Sequence, residues 1–89
     1  MSVTFFAADA PADTESFEVN LSNASAGTVL RALGYPVDED PFGEDAAEAF
    51  LARTVALDVI EPARLQVALV RLADLAIAAR NHGSLVAWG

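Results

Sequence analysis

Residues 61–89, EPARLQVALVRLADLAIAARNHGSLVAWG, decide the fold, because they read as one long helix followed by a short strand. Pro62 suits the first turn of a helix, where its missing N–H is one of the donors that lacks a partner anyway. From there to Arg80 no Gly or Pro intervenes, and Ala, Leu, Arg and Gln, all good helix formers, dominate. Asn81-His82-Gly83 reads as the stop, with Gly83 free to take the left-handed cap conformation. At 100° per residue, Leu65, Ala68, Leu69, Leu72, Leu75, Ala76 and Ala79 share one face, which is a core stripe. Arg64, Arg71 and Asp74 fall on a wet flank. A second, thinner stripe holds Ala63, Val70 and Ile77, spaced by sevens and roughly opposite the first. An ordinary surface helix would be polar there. Either the helix lies between two layers of its own domain, or Val70 and Ile77 meet a partner or a second copy of the chain. Three turns of this spacing are too few to define a coiled coil.

Working backwards, Asp58–Glu61 forms a corner, since a residue before proline is pushed out of helical geometry. Ahead of it a helix is expected from Asp45 to about Leu57, with Glu48 as the capping-box partner of Asp45. Ala47, Phe50, Leu51, Thr54 and Leu57 would point inward. Residues 35–44, YPVDEDPFGE, form an acidic connector. Asp38, Asp40 and Gly43 invite comparison with a calcium loop, but Phe42 falls at its fifth position and Ala49 at its twelfth, where the bidentate glutamate belongs. The connector's acids are better suited to solvent and to the positive end of the next helix.

Phe17-Glu18-Val19-Asn20-Leu21 alternates cleanly, as a half-buried strand does. Ser22 and Asn23 follow at once, and either can cap a helix running from about Ala24 to Leu33. That helix would turn Val29, Leu30 and Leu33 inward and end at Gly34. Gly27 allows a close approach of backbone within it. A strand–helix joint of this kind can bind anions, but without a Gly-rich loop or a lysine ordinary capping explains it. Val3–Ala7 is a first strand and residues 8–16 a loop. Residues 84–88 close the chain as a further strand, with Trp88 covering an end of the core or capping a sheet face. The architecture expected is α+β over 1–89 as a single domain: a small, mainly antiparallel sheet of two to three strands with three helices on one face. Strand 17–21 is expected at its centre, between 3–7 and 84–88.

Composition narrows the function classes. The 89 residues contain no cysteine and no lysine, and the five basic residues, all arginine, face thirteen acids. Residues 1–48 hold ten of those acids against Arg31 alone, whereas residues 49–89 are close to neutral. A chain of net charge −8 offers no basic patch for nucleic-acid phosphates or anionic membranes. Lysine-free, alanine-rich usage reflects a GC-rich coding genome. Disulfide, thiol and cysteine-zinc chemistry are excluded, and one histidine, His82, makes no usual zinc site. No apolar run is long enough to span a membrane and no basic leader precedes Val3, so a cytoplasmic protein is expected. No nucleophile elbow, P-loop or dinucleotide fingerprint is present, and no cofactor is expected.

The segment Phe17–Ala26, FEVNLSNASA, followed by Leu30 and Leu33-Gly34, resembles the opening of a loosely defined group of small proteins. They come from GC-rich actinobacteria and their phages and have no assigned activity. Members place a Val-Asn-x-Ser-Asn-x-Asn-Ala joint early and end in a helix, a short strand and a Trp-Gly-like pair, as Trp88-Gly89 does here. The resemblance covers roughly a third of the chain; Ser25 stands where Asn is more usual, and the middle is shorter. It implies origin, and that the joint and the terminus belong to one fold; no functional residue carries over.

Three functions follow as expectations. The first is a small non-enzymatic interaction protein, phage- or prophage-encoded and acting on a host protein. It would bind that protein, or a second copy of itself, through Ala63, Val70 and Ile77 or through the acidic rim of Asp38, Glu39, Asp40 and Glu44. The second is an acidic mimic of nucleic acid that inhibits a DNA-binding protein, using Asp9, Asp13, Glu15, Glu18, Asp38, Glu39, Asp40 and Glu44. The third is a small enzyme or metal protein.

Overall fold

The computed structural model describes residues 2–8, 18–37 and 41–89. Its elements in order are β1 (Ser2–Ala7), β2 (Val19–Ser22), α1 (Asn23–Leu33), β3 (Gly43–Ala46), α2 (Ala47–Ala56), a 3-10 turn (Ala63–Leu65), α3 (Gln66–Asn81) and β4 (Leu85–Trp88). The fold is α+β, with a four-stranded antiparallel sheet in the order β2-β1-β4-β3.

This order corrects the expected sheet twice. The strand around Val19 is an edge and β1 and β4 are central. Val3–Ala7 and Leu85–Trp88 are nearly continuous apolar runs, whereas β2 alternates with Asn20 and Ser22 outward. Phe17, expected to begin that strand, and the loop 8–16 beyond Ala8 lie outside the described residues. The second correction is the extra strand β3. Gly43-Glu44-Asp45-Ala46 has no β-forming residue, and it is a strand because β4 offers it a full antiparallel register from Gly43↔Trp88 to Ala46↔Leu85.

All three helices cover one face of this sheet. Val3, Phe5, Val19, Val86 and Trp88 point into a single core with Val29, Leu30 and Leu33 of α1, Ala47 and Phe50 of α2, and the inner stripe of α3. Every residue expected on that stripe, from Leu65 through Leu72 to Ala79, is buried. Its first turn is a 3-10 turn, with the α-helix proper starting at Gln66. The opposite sheet face carries Thr4, Phe6, Asn20, Glu44 and Ala46.

Local chemistry sets the boundaries. The Ser22 hydroxyl accepts from the Ser25 N–H at 3.2 Å, the N-cap expected at that joint. Gly34 closes α1 at φ 91°, a conformation an L-residue rarely adopts, and its N–H reaches back to the Arg31 carbonyl. α2 departs from expectation. It starts at Ala47, and its cap residue Ala46 has no side-chain bond to give. Asp45 forms no capping box because its carboxylate is taken by the Tyr35 hydroxyl and the Ala46 N–H. A tertiary hydrogen bond outcompetes the local cap. Inside α2, Ala47, Phe50 and Thr54 are buried as expected, and Leu51 is half-buried, as is Leu57 beyond its end.

Candidate protein-interaction face

α2 and α3 pack side by side and antiparallel, so that Glu48 and Arg80 share one end of the pair and Asp58 and Gln66 the other. Their inner sides are consumed by the core. Their outer sides, turned away from the sheet, are apolar where water would favour polar groups. Val55 is 69% exposed, Val67 66%, Val70 55% and Ile77 38%. Two open clefts of about 500 and 300 Å³ lie along the seam between the helices. Ala52, Val55 and Ala56 line the first with Arg80 and Glu48 at its rim; Val55, Val70 and Ala73 line the second beside Asp58 and Gln66.

Among the described residues the second stripe of α3 therefore meets no second layer. Ala63, Val70 and Ile77 are all exposed rather than sandwiched between described layers of the domain. The structure extends the stripe instead. Val67 joins it, and α2 supplies Ala52 and Val55 across the seam, residues that sequence reasoning did not single out. The signal was available: Val55 follows the inward Thr54 by 100° and is as out of place on a wet face as Val70.

The acidic candidates lie elsewhere. Glu44 sits on the opposite face of the sheet, paired with Ala87, so the fold does not bring it together with Val70 and Ile77. Asp38, Glu39 and Asp40 lie outside the described residues. So do Asp9, Asp13 and Glu15, which leaves Glu18 and Glu44 as the described members of the acidic array.

The loops at the α2–α3 corner are fixed by Gln66, whose side chain accepts from the Ile60 N–H and donates to the Asp58 carbonyl. On the other flank of α3, Arg64 donates to the Ser25 hydroxyl at 3.3 Å and Arg71 to the Glu18 carbonyl at 3.4 Å. α3 is thus joined at its start to the α2–α3 loop and along one flank to α1 and to the residue before β2.

A polar cluster stands apart from this face. The Tyr35 hydroxyl donates to Asp45 Oδ2 at 2.6 Å, and Arg53 lies 4.6 Å over the Tyr35 ring while donating to the Leu33 carbonyl at 2.8 Å. Arg53 Nε is 4.0 Å from Asp45. The three side chains engage one another and the end of α1, so the cluster ties α1, β3 and α2 together. Burial, then the hydrogen bond to Asp45 and its negative charge, push the Tyr35 hydroxyl well above its ordinary value, against a smaller opposing effect of Arg53. A group whose pKa is raised by folding contributes stability that is complete below its unfolded pKa and is lost as pH climbs past it. Stability is therefore expected to fall above about pH 10, and to fall less steeply in Tyr35→Phe. Urea unfolding at pH 8 and at higher pH checks this; equal losses in both proteins would contradict it.

Trp88 is buried against Phe5, Tyr35 and Phe50, which excludes an exposed binding tryptophan. His82 is exposed at the end of α3. Among the described residues no group of three or more His, Asp or Glu side chains is placed to hold a metal ion, and no helix is long and apolar enough to cross a membrane. Comparison with known proteins finds no matching family model, no matching curated protein and no matching solved structure.

Proposed function

We propose that this chain is a small non-enzymatic protein-interaction module whose binding face is the outer side of the α2–α3 pair. The observation that carries the reading is that exposed Val55 of α2 and Val70 of α3 line one cleft, with Val67 and Ile77 exposed along the same side of α3. Such a patch costs about 25 cal/mol for each Å² of apolar surface left in water, a cost a partner would relieve. The mixed charges at its rim, Glu48 with Arg80 and Asp58 beside Gln66, give the polar border typical of protein interfaces. The resemblance around 17–26 supports an actinobacterial or phage origin, and with it a host protein as one class of target.

The test is a photoreactive residue placed at position 70, compared with one at position 6 on the opposite face of the sheet. A discrete crosslinked product from position 70 and none from position 6 is the expected result. No product from position 70 in the native host would overturn the reading. Crosslinks confined to the acidic segments, and lost on adding salt, would favour the nucleic-acid mimic instead.

A further inference from the structure

We propose that the occupant of the α2–α3 face is a second copy of this chain, docked about a two-fold axis with the two α3 helices antiparallel. The proposal rests on the interaction reading above and names its partner.

The exposed line of α3 runs Ala63, Val67, Val70, Asp74, Ile77, Asn81, with steps of four, three, four, three and four. That is the spacing of one continuous helix face, wide enough to meet a second helix along its length. The line is also complementary to itself. Val67 and Ile77 lie equally far on either side of Leu72, as do Val70 and Asp74, with Arg71 and Asp74 flanking the same point within a turn. A two-fold axis through that point sets Val67 of each copy against Ile77 of the other. Asp74 lies on this line and Arg71 one step off it, on the flank away from α2, so the same axis sets Asp74 of each copy beside both Val70 and Arg71 of the other. The contact Arg71 makes within its own chain, at 3.4 Å to the Glu18 carbonyl, is long and exposed, which leaves the guanidinium available. On the opposite flank the axis turns the two α2 helices towards one another, bringing Ala52 and Val55 of each copy to the seam.

Charge permits this contact despite the net −8. Between Ala47 and Asn81 four acids, Glu48, Asp58, Glu61 and Asp74, face four arginines, Arg53, Arg64, Arg71 and Arg80. The helical pair is neutral, and the whole net charge belongs to residues outside it. A strongly basic or acidic partner would find nothing here to match its charge. Size is also adequate for a modest interface. A 16-residue helix is about 24 Å long, and two neighbouring helices span about 20 Å. Side-chain relief brings such a face towards the 800 Å² or so per partner of ordinary complexes, at the weak end of that class.

Sedimentation equilibrium of the full chain from about 1 to 300 µM tests this. A concentration-dependent dimer is expected for the wild type, and a monomer with an unchanged circular dichroism spectrum for Val70→Asp. Arg71→Asp and Asp74→Arg should each weaken the dimer by about five-fold, and the two together should restore it. A wild type that stays monomeric across the range overturns the proposal. A dimer indifferent to Val70→Asp, or a charge-reversed pair no tighter than its single variants, does the same. If the wild type is monomeric yet position 70 crosslinks to another protein in the host, self-pairing fails while the interaction reading stands. If position 70 crosslinks to nothing, both fail.

Discussion

Trp88→Ala is expected to cost about 3–5 kcal/mol, a large share of the stability of the protein. The indole sits at the centre of an aromatic cluster, with ring centroids 6.0 Å from Phe5, 5.0 Å from Tyr35 and 5.9 Å from Phe50. These three come from β1, from the segment after α1 and from α2, so the one side chain joins three parts of the chain to β4. Truncating it leaves a cavity that tilted rings on separate elements cannot close together. A domain of this length is stable by only about 4–13 kcal/mol. Trp88→Phe should behave differently, with a loss below about 1.5 kcal/mol. The indole N–H is buried without a hydrogen-bond partner, and its removal returns part of what the smaller ring forfeits. Urea unfolding followed by far-UV circular dichroism, which does not depend on the tryptophan, measures both. A Trp88→Ala loss under 1 kcal/mol or so would show that the cluster packs loosely.

The inner stripe of α3 was readable residue by residue because burial alone dictates it: a helix lying on one core must repeat its apolar side every 3.6 residues. The Ser22 cap and the Gly34 stop were readable for a similar reason, since both depend on chemistry within four residues of the joint. What could not be read locally was decided by neighbours distant in sequence. Gly43–Ala46 has no strand propensity of its own, and only the register offered by β4 makes it one. Asp45 has every local mark of a helix cap and is diverted by Tyr35, ten residues earlier. The alternation around Val19 marks a half-buried strand but not its place, because its partners in the sheet are set by residues distant in sequence.

The candidate face divides in the same way. Val70 and Ile77 were conspicuous as apolar residues opposite a complete core stripe, and that contradiction needs no structure to be noticed. Which alternative resolves it does. A second layer would have buried them; instead both are exposed, and Val55 lines a cleft with Val70. Val55 escaped notice because the second helix was read only for its inward residues, and the pairing of two outer faces exists only once α2 and α3 lie side by side.

The weakest strand also yields the second large effect. Gly43 faces Trp88 across the β3–β4 register, and a Cβ added there would lie 2.8 Å from Cζ2 of the indole, 3.0 Å from Cε2 and 3.2 Å from Nε1. A flexible side chain would swing aside from such a clash, but this ring is wedged among Phe5, Tyr35 and Phe50 and has little room to move. Gly43→Ala should therefore destabilise by about 1–3 kcal/mol, even though alanine is no worse than glycine as a strand residue. Part of the movement would fall on β3 itself, which the Asp45–Tyr35 and Asp45–Arg53 contacts help to hold on the sheet edge. The diagnostic is the double variant. If the clash with the indole is the cause, Gly43→Ala should cost at least about 1 kcal/mol less in a Trp88→Phe background, where the smaller ring leaves space for the methyl. Additive losses would place the cost in the backbone of β3 rather than in the ring.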